Sequence, residues 1–579
     1  MVSQANQPTI WVMIDFGVAA FTVVAAFGRP TLGTGVFARV ERRFAALGSR
    51  KLLAVFVVGL SVVLLRVAIL PFFGIPNPFS PDDFSFLLSA DTFAHGRLTN
   101  STPSMWTHFE TIHVTMVPTY QSMYFPGQGL LMAASKVILG HPWWGVLLSS
   151  ALMCAALTWA LQAWVPSNWA ILGGFIAVLR LGLFSYWTNM YFAAGSLCAL
   201  GGALVLGSLP RLKKTGHMRY GLLMAIGIAI LEVTRPYEGL LLCLPVTVAL
   251  VHWIWKGKNR PPRLVLARRA VLPLAVIVAA GTWLGYYDLK AFGKATTLPY
   301  SVDRAQYATA PYYVWQNLRP TPRYRHARME EFYQTHETAY FNAIHSWKGY
   351  LPATLGKLTF TMWFFTGFVL LAPLFMFGRV LLDRRMRFLV ACGCVMTAGI
   401  LIEVFLQPHY IAPFVMVLYA IGLQAMRHLR LWKPEGRPVG LALVRLAVFS
   451  CVVLVGLRLC AAPLHLGTLG STPGNANMSW FGVETYGADR AKVLARLENL
   501  PGPQLAIVRY QPGNNPGDEW VYNEADIDHS KVIWAREMGT QDNLELIRHY
   551  KDRRVWLVQP NSEPVQAAPF PGTDAIGAK

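Results

Sequence analysis

Stretches of roughly 18 or more mostly apolar residues recur through the first four-fifths of this chain, and each is long enough to cross a bilayer core as a helix. A chain built this way has few options, because backbone in lipid must satisfy its own hydrogen bonds, which only helices and closed barrels do. About twelve spans are predicted, near 10–27, 52–73, 142–164, 169–187, 190–209, 220–234, 237–255, 270–288, 357–378, 388–405, 409–426 and 440–461. A further apolar run near 127–139 is too short to span and reads as an amphipathic helix in the interface. Only 14% of the 579 residues are charged, where a soluble domain carries about a quarter. The expected fold is an all-α polytopic membrane domain.

The net charge of +21 invites a nucleic-acid partner, but the basic residues sit in short loops between apolar segments. Arg29, Arg39, Arg42, Arg43, Arg50 and Lys51 follow the first span; Arg211, Lys213, Lys214 and Arg219 follow the fifth. Lys256, Lys258, Arg260, Arg263, Arg268 and Arg269 follow the seventh, Arg379, Arg384, Arg385 and Arg387 the ninth, and Arg427, Arg430, Lys433 and Arg437 the eleventh. With twelve spans all of these loops share one face, which the positive-inside rule makes cytoplasmic. The basic residues therefore set topology, and no nucleic-acid partner is expected. The N-terminus, the loops 74–141 and 289–356 and the tail from about 463 fall on the opposite face.

The seven cysteines all lie in apolar segments and imply neither a disulfide framework nor a zinc site; Cys392 and Cys394 read as small core residues. Gly173-Gly174 and Gly201-Gly202 read as helix-packing sites. The tail alternates helical and strand patterns, with helices near 485–499 and 541–551 and strands at 504–510 and 554–558. It is expected to form a small extracytoplasmic α/β domain ending in a Pro-, Ala- and Gly-rich disordered segment. The division is 1–51, first span and basic loop; 52–462, membrane domain; 463–560, α/β domain; 561–579, disordered tail.

The chemistry concentrates just outside the second span, at Ser80-Pro81-Asp82-Asp83. Ser80 is a natural N-cap, Pro81 suits the first helical position, and the two carboxylates fall in the first turn of a helix that Gly96 can stop. First-turn carboxylates are favoured by the helix dipole alone, but paired acids at a bilayer exit carry a desolvation cost that points to function. The same loop holds Trp106, His108, Glu110, His113 and Tyr124, an aromatic and polar set suited to a sugar. Arg235 is a lone outer-face arginine, with Glu238 one turn on, and His409-Tyr410 occupies a comparable helix end. Arg319, Arg323, Arg325, His326 and Arg328 form a basic run in the second long loop.

An acidic pair after a span, a surface helix, a polar aromatic stretch and a second surface helix resemble the first outer loop of the GT-C superfamily of integral-membrane glycosyltransferases. Within it the loop resembles that of the protein O-mannosyltransferases and the bacterial lipid A aminoarabinose transferases. His409-Tyr410-Ile411-Ala412-Pro413 is similar to the superfamily's Arg/His-Tyr-x-x-Pro, and the resemblance covers roughly 52–430. Three features depart from it. The first span precedes the one that would open the superfamily's core, which puts the N-terminus outside. Asp-Asp replaces the usual Asp-Glu, and Tyr186-Trp187-Thr188-Asn189 lacks the second acidic position. The resemblance implies inverting transfer of a sugar from a polyprenyl-phosphate donor to an extracytoplasmic lipid, glycan or protein acceptor, at the outer face of a bacterial inner membrane. It implies Asp82 or Asp83 as base. Arg235, His409, Tyr410, Arg323 and Arg325 would hold the donor phosphate, and Trp106, His108, Glu110, His113, Tyr124 and Glu238 the acceptor or sugar.

No cofactor is implied, no metal ligands are assigned, and a divalent metal stays open. Two other readings compete. A transporter or flippase of a lipid-linked or small solute would use ionisable residues inside the bilayer, for which Arg180, Glu232 and Glu403 are the candidates. A scaffold presenting the C-terminal domain would leave the acidic pair without a role.

Overall fold

The computed structural model describes residues 10–192, 194–257, 260–461, 463–464, 487–562 and 564–571. Among the described residues, eight helices are long and apolar enough to cross a membrane: Trp11–Gly28, Lys51–Ala68, Trp143–Leu161, Gly195–Thr215, Pro236–Lys256, Arg263–Phe292, Pro408–Leu429 and Val439–Leu459. They make the chain an integral membrane protein. The other expected spans fall on shorter or broken helices, Ser167–Ala177, Met218–Glu232 and Arg387–Leu401. The span expected at 357–378 is interrupted. Trp347–Thr366 ends at Gly367, whose φ of 59° is easy only for glycine, and the chain resumes at Ala372–Met376 and Phe377–Leu382. A side chain at Gly367 would collide with Asp15 and Arg180, both buried. Arg180 donates to the carbonyls of Trp363 and Phe364, so this intramembrane charge caps a helix end.

The glycine pairs do bring helices together. A Cβ on Gly202 would overlap the carbonyl of Pro413, and one on Gly174 the hydroxyl of Thr158. The first contact seats the His409–Pro413 turn against Gly195–Thr215. Cys392 is buried, but Cys394 faces outward, because residues two apart on a helix point to different sides. The basic stretch expected as a loop after the first span contains a helix, Thr34–Ser49, tied down by a bidentate Arg445–Glu41 pair.

The first long outer loop holds the helix Pro81–Ala94, a two-residue hairpin of Val114–Thr115 with Gln121–Ser122, and the helix Gly127–Leu139. The two helices pack side by side where Gly129 leaves no room for a side chain beside Ser89.

The C-terminal unit is a four-stranded sheet ordered Val532–Arg536, Gln504–Val508, Arg554–Gln559, Gln566–Pro569, flanked by helices Ala488–Glu498 and Thr540–His549. Its first three strands are parallel and the last is antiparallel. Two strands differ from expectation. Val532–Arg536 had no predicted counterpart, and Gln566–Pro569 lies in the segment expected to be disordered, where pairing to Arg554–Gln559 orders it. Residues 465–486, including the start of the helix expected at 485, and the tail 572–579 lie outside the described residues.

This unit is docked on the first outer loop. Tyr522 stacks on Phe84 at 4.6 Å, the Arg490 guanidinium lies 4.7 Å from the Phe84 ring, and the Ala525 N–H donates to Asp91 at 2.8 Å. The helix bearing the acidic pair is thus held from both sides.

Candidate active site

Ser80 caps the Pro81–Ala94 helix as its residue types predict, and Asp83 closes the capping box. The two carboxylates are adjacent in the first turn and point different ways. Asp83 points inward and is buried. One of its oxygens accepts the N–H of Tyr191 at 2.8 Å and of Phe192 at 3.3 Å; the other faces the N–H groups of Phe79 and Ser80 at 3.4 Å. Burial pushes this carboxyl up to about 6 despite those donors. Its acceptor capacity is spent on backbone.

Asp82 points the other way, with 28% of its side chain exposed. It accepts from the Tyr124 hydroxyl and lies 2.9 Å from His113 Nδ1. Burial raises the Asp82 carboxyl, but the His113 charge and the hydrogen bonds from His113 and Tyr124 outweigh it and hold it below its ordinary range. For His113, burial alone would lower the imidazole; Asp82, with Asp303 and Glu337 farther off, raises it instead. Each group therefore shifts the other toward its charged form.

His113 reaches this position through a left-handed backbone, φ 64°, a conformation that costs a non-glycine residue about 1–3 kcal/mol. Its carbonyl is pinned by the Ser85 hydroxyl at 2.7 Å and the Met123 N–H at 3.2 Å, which ties it to the same helix as Asp82. Tyr124 is stacked on Phe86 at 4.4 Å.

The second outer loop supplies the facing wall. Tyr300 meets Tyr124 edge-on at 5.6 Å, and Tyr312 lies 6.0 Å beyond it. Arg304 sits 5.0 Å from the Tyr312 ring and pairs with Glu337 at 2.6 Å. Burial pushes the Tyr300 phenol above its ordinary range, against the pull of Arg235, so Tyr300 stands within the field of that guanidinium. Arg235 is buried, bonded to Glu238 at 2.8 Å, and lies 3.8 Å from the Tyr410 ring. His409 is buried beside Tyr410, its Nδ1 2.8 Å from the Tyr186 hydroxyl. Tyr124 thus joins the Asp82 carboxylate to Tyr300, and the Arg235 guanidinium lies on the face of Tyr410.

The remaining predicted residues gather elsewhere. Trp106, Glu110, Arg323 and Arg325 line a cavity of about 420 Å³ between the two outer loops. Among the described residues no contact joins Arg323 or Arg325 to Arg235. His108 is buried against the Arg536 carbonyl at 3.1 Å and fastens the loop to the C-terminal sheet. No group of three or more His, Cys, Asp or Glu side chains arranged to hold a metal ion occurs among the described residues.

Sequence reading passed over Tyr300, Asp303, Arg304, Tyr312 and Glu337. The available signal was density: residues 300–340 hold seven of the chain's 22 tyrosines, far more than an ordinary solvated loop needs.

No family model and no curated protein matches this chain. Among solved structures it is similar to the oligosaccharyltransferase of Archaeoglobus fulgidus crystallised with zinc and sulfate, at TM-score 0.49 and 10% identity over 87% of this chain and 67% of that one. It is also similar to ArnT from Cupriavidus metallidurans in the apo state, at TM-score 0.48 and 14% identity over 86% and 93% of the two chains. For ArnT bound to undecaprenyl phosphate the TM-score is 0.47 and the identity 13%, over 86% and 92%.

Proposed function

We propose that the protein is a glycosyltransferase that moves a sugar from a polyprenyl-phosphate donor to an acceptor on the extracytoplasmic side of a bacterial inner membrane, within a twelve-span domain. The observation that carries this reading is the Asp82 carboxylate, kept ionised by His113 and Tyr124, with Tyr300 packed edge-on against Tyr124 and Arg235 set on the face of Tyr410. An acceptor hydroxyl attacks the anomeric carbon, its proton passes to Asp82, and the bond from that carbon to the phosphate oxygen breaks. The configuration at carbon inverts, and the polyprenyl phosphate leaves with the electron pair. Arg235, with Tyr410 and His409 behind it, receives the phosphate charge. A carboxylate with a depressed pKa is a weak base, but a phosphate leaving group departs as a stable anion and asks little of it. Asp83 and His108 take structural parts in this scheme, the first holding the helix and the second the loop.

The test is to incubate the purified protein with a panel of polyprenyl-phosphate sugars and follow donor consumption. Consumption that stops in Asp82→Asn supports the reading. Solute or lipid flux across proteoliposomes with no covalent product overturns it in favour of transport.

A further inference from the structure

The cavity between the two outer loops lies entirely outside the spans. None of its lining residues belongs to a helix long or apolar enough to cross a membrane. A lipid-linked phosphate must keep its chain in the bilayer, so a ligand here is a water-soluble group. At about 420 Å³ the cavity falls within the range of small-molecule sites.

Its wall is aromatic and its charge is unbalanced. Glu110, on the inner side, is fully engaged: it accepts from the Tyr307 hydroxyl at 2.9 Å and lies 3.4 Å from both Arg325 and His326. Arg325 is half exposed and stands 4.5 Å from the Trp106 ring. Arg323 is exposed at the rim, and among the described residues it has no hydrogen-bond or ion-pair partner. One carboxylate against two guanidiniums leaves a net positive lining around phenol and indole rings. Such a lining selects an anion carried on a body with an apolar face and hydroxyls.

We propose that this cavity is a subsite for an anionic sugar, a hexose ring bearing a carboxylate or a phosphate, on the acceptor. It rests on the transferase reading only in calling that sugar part of an acceptor. Three ring contacts separate the cavity wall from the reacting centre. Tyr307 stacks on Tyr333 at 5.9 Å, Phe332 meets Tyr333 at 5.0 Å, and Phe332 meets His113 at 5.3 Å. A sugar gripped by Arg323 and Arg325 lets a neighbouring unit of the same acceptor extend to Asp82. The grip then works as remote binding energy that orients a hydroxyl for attack.

Saturation-transfer NMR on the full-length protein in detergent tests this with D-glucuronate, glucose 6-phosphate, glucose and inorganic phosphate as probes. Saturation of the ring protons of both anionic sugars is expected, with glucose at least about tenfold weaker. Arg323→Ala weakens both anionic sugars by about tenfold, and Arg323→Lys by less, because a point charge keeps part of the attraction. Asp82→Asn leaves these affinities unchanged. Equal binding of glucose and glucuronate, or unaltered binding in Arg323→Ala, overturns the proposal. So does displacement of the sugars by polyprenyl phosphate, or competition by inorganic phosphate with no ring saturation. Loss of transfer with binding intact in Asp82→Asn supports the transferase reading, and loss of sugar binding with a raised acceptor KM in Arg323→Ala supports the subsite, so each can fail without the other.

Discussion

His113 Nδ1 lies 2.9 Å from Asp82 Oδ1, and each group shifts the other toward its charged form. The helix dipole alone would have left Asp82 an ordinary first-turn carboxylate. What makes it more is a histidine 31 residues away, brought over by a left-handed turn that the hairpin enforces.

The pH profile of transfer follows from that pair. Asp82 is depressed in the folded protein, so its contribution is present above the ordinary carboxylate range and is lost as pH falls through its lowered value. His113 is raised, so its contribution is complete below 6.5 and is lost as pH climbs through its elevated value. A bell-shaped rate profile is expected. In His113→Ala the acid limb moves to higher pH, because burial still raises Asp82 while the cation that opposed it is gone. Rate against pH for both proteins is the measurement, and an unmoved acid limb would remove Asp82 from the chemistry.

Asp82→Asn and Asp83→Asn should part company. Asp82→Asn is expected to lower transfer by about 10²-fold or more, the scale of losing a positioned base, with little change in melting temperature. Asp83→Asn keeps an oxygen for the Tyr191 N–H and should hold transfer within about tenfold, whereas Asp83→Ala leaves buried N–H groups unpaired at about 1–3 kcal/mol. Thermal melting beside single-turnover rates separates the two effects.

Asp83 also predicts a stability trend. Its folded pKa of about 6 lies above the ordinary 3.8, so its favourable contribution is complete below about pH 4 and is lost as pH rises through about 6. The melting-temperature difference between wild type and Asp83→Asn should narrow or reverse across that window. A constant difference from pH 4 to 7 would contradict the burial described for this carboxyl.

Much of this was legible because it is local. Ser80-Pro81-Asp82-Asp83 announces a capped helix from four adjacent residues, and the chain starts that helix at Pro81. The outward arginine at 235 and the His409-Tyr410 pair also announce themselves, and they meet at 3.8 Å. What was hidden is non-local. Nothing near Asp83 reveals that its donor is the Tyr191 N–H, 108 residues later, so the two carboxylates looked alike. Tyr300 and Tyr312 gain their meaning only when the second loop folds over the first. The same holds for Gln566–Pro569, whose composition argues against order and whose partner strand supplies it.

Arg235→Ala should act on the donor. It removes the guanidinium and leaves Glu238 buried without its 2.8 Å partner. The expected result is a rise of about tenfold or more in donor KM, the scale of a lost charge-assisted contact. Arg235→Lys recovers only part of this, since lysine keeps the charge and loses the planar contact with Tyr410. Equal effects of the two substitutions on donor and acceptor KM would move Arg235 from the phosphate to the scaffold.

The C-terminal unit should matter to the rate through Arg490. Its guanidinium lies between Phe84 and Trp534, at 4.7 and 4.6 Å, and donates to the carbonyls of Trp520 and Tyr522 at 3.0 and 3.2 Å. Phe84 is two residues from Asp82, so loosening this clamp lets the first turn of the helix shift. Arg490→Ala forfeits a desolvated cation–π contact of roughly 2 kcal/mol and two carbonyl bonds. If the clamp positions Asp82, kcat falls with donor KM nearly unchanged, and the acid limb of the pH profile moves as the Asp82–His113 distance relaxes. If the unit only adds bulk stability, melting temperature drops while kcat and the pH profile at a safe temperature stay put. The pH profile decides between them, because misplacing Asp82 changes its field and a uniform loss of stability does not.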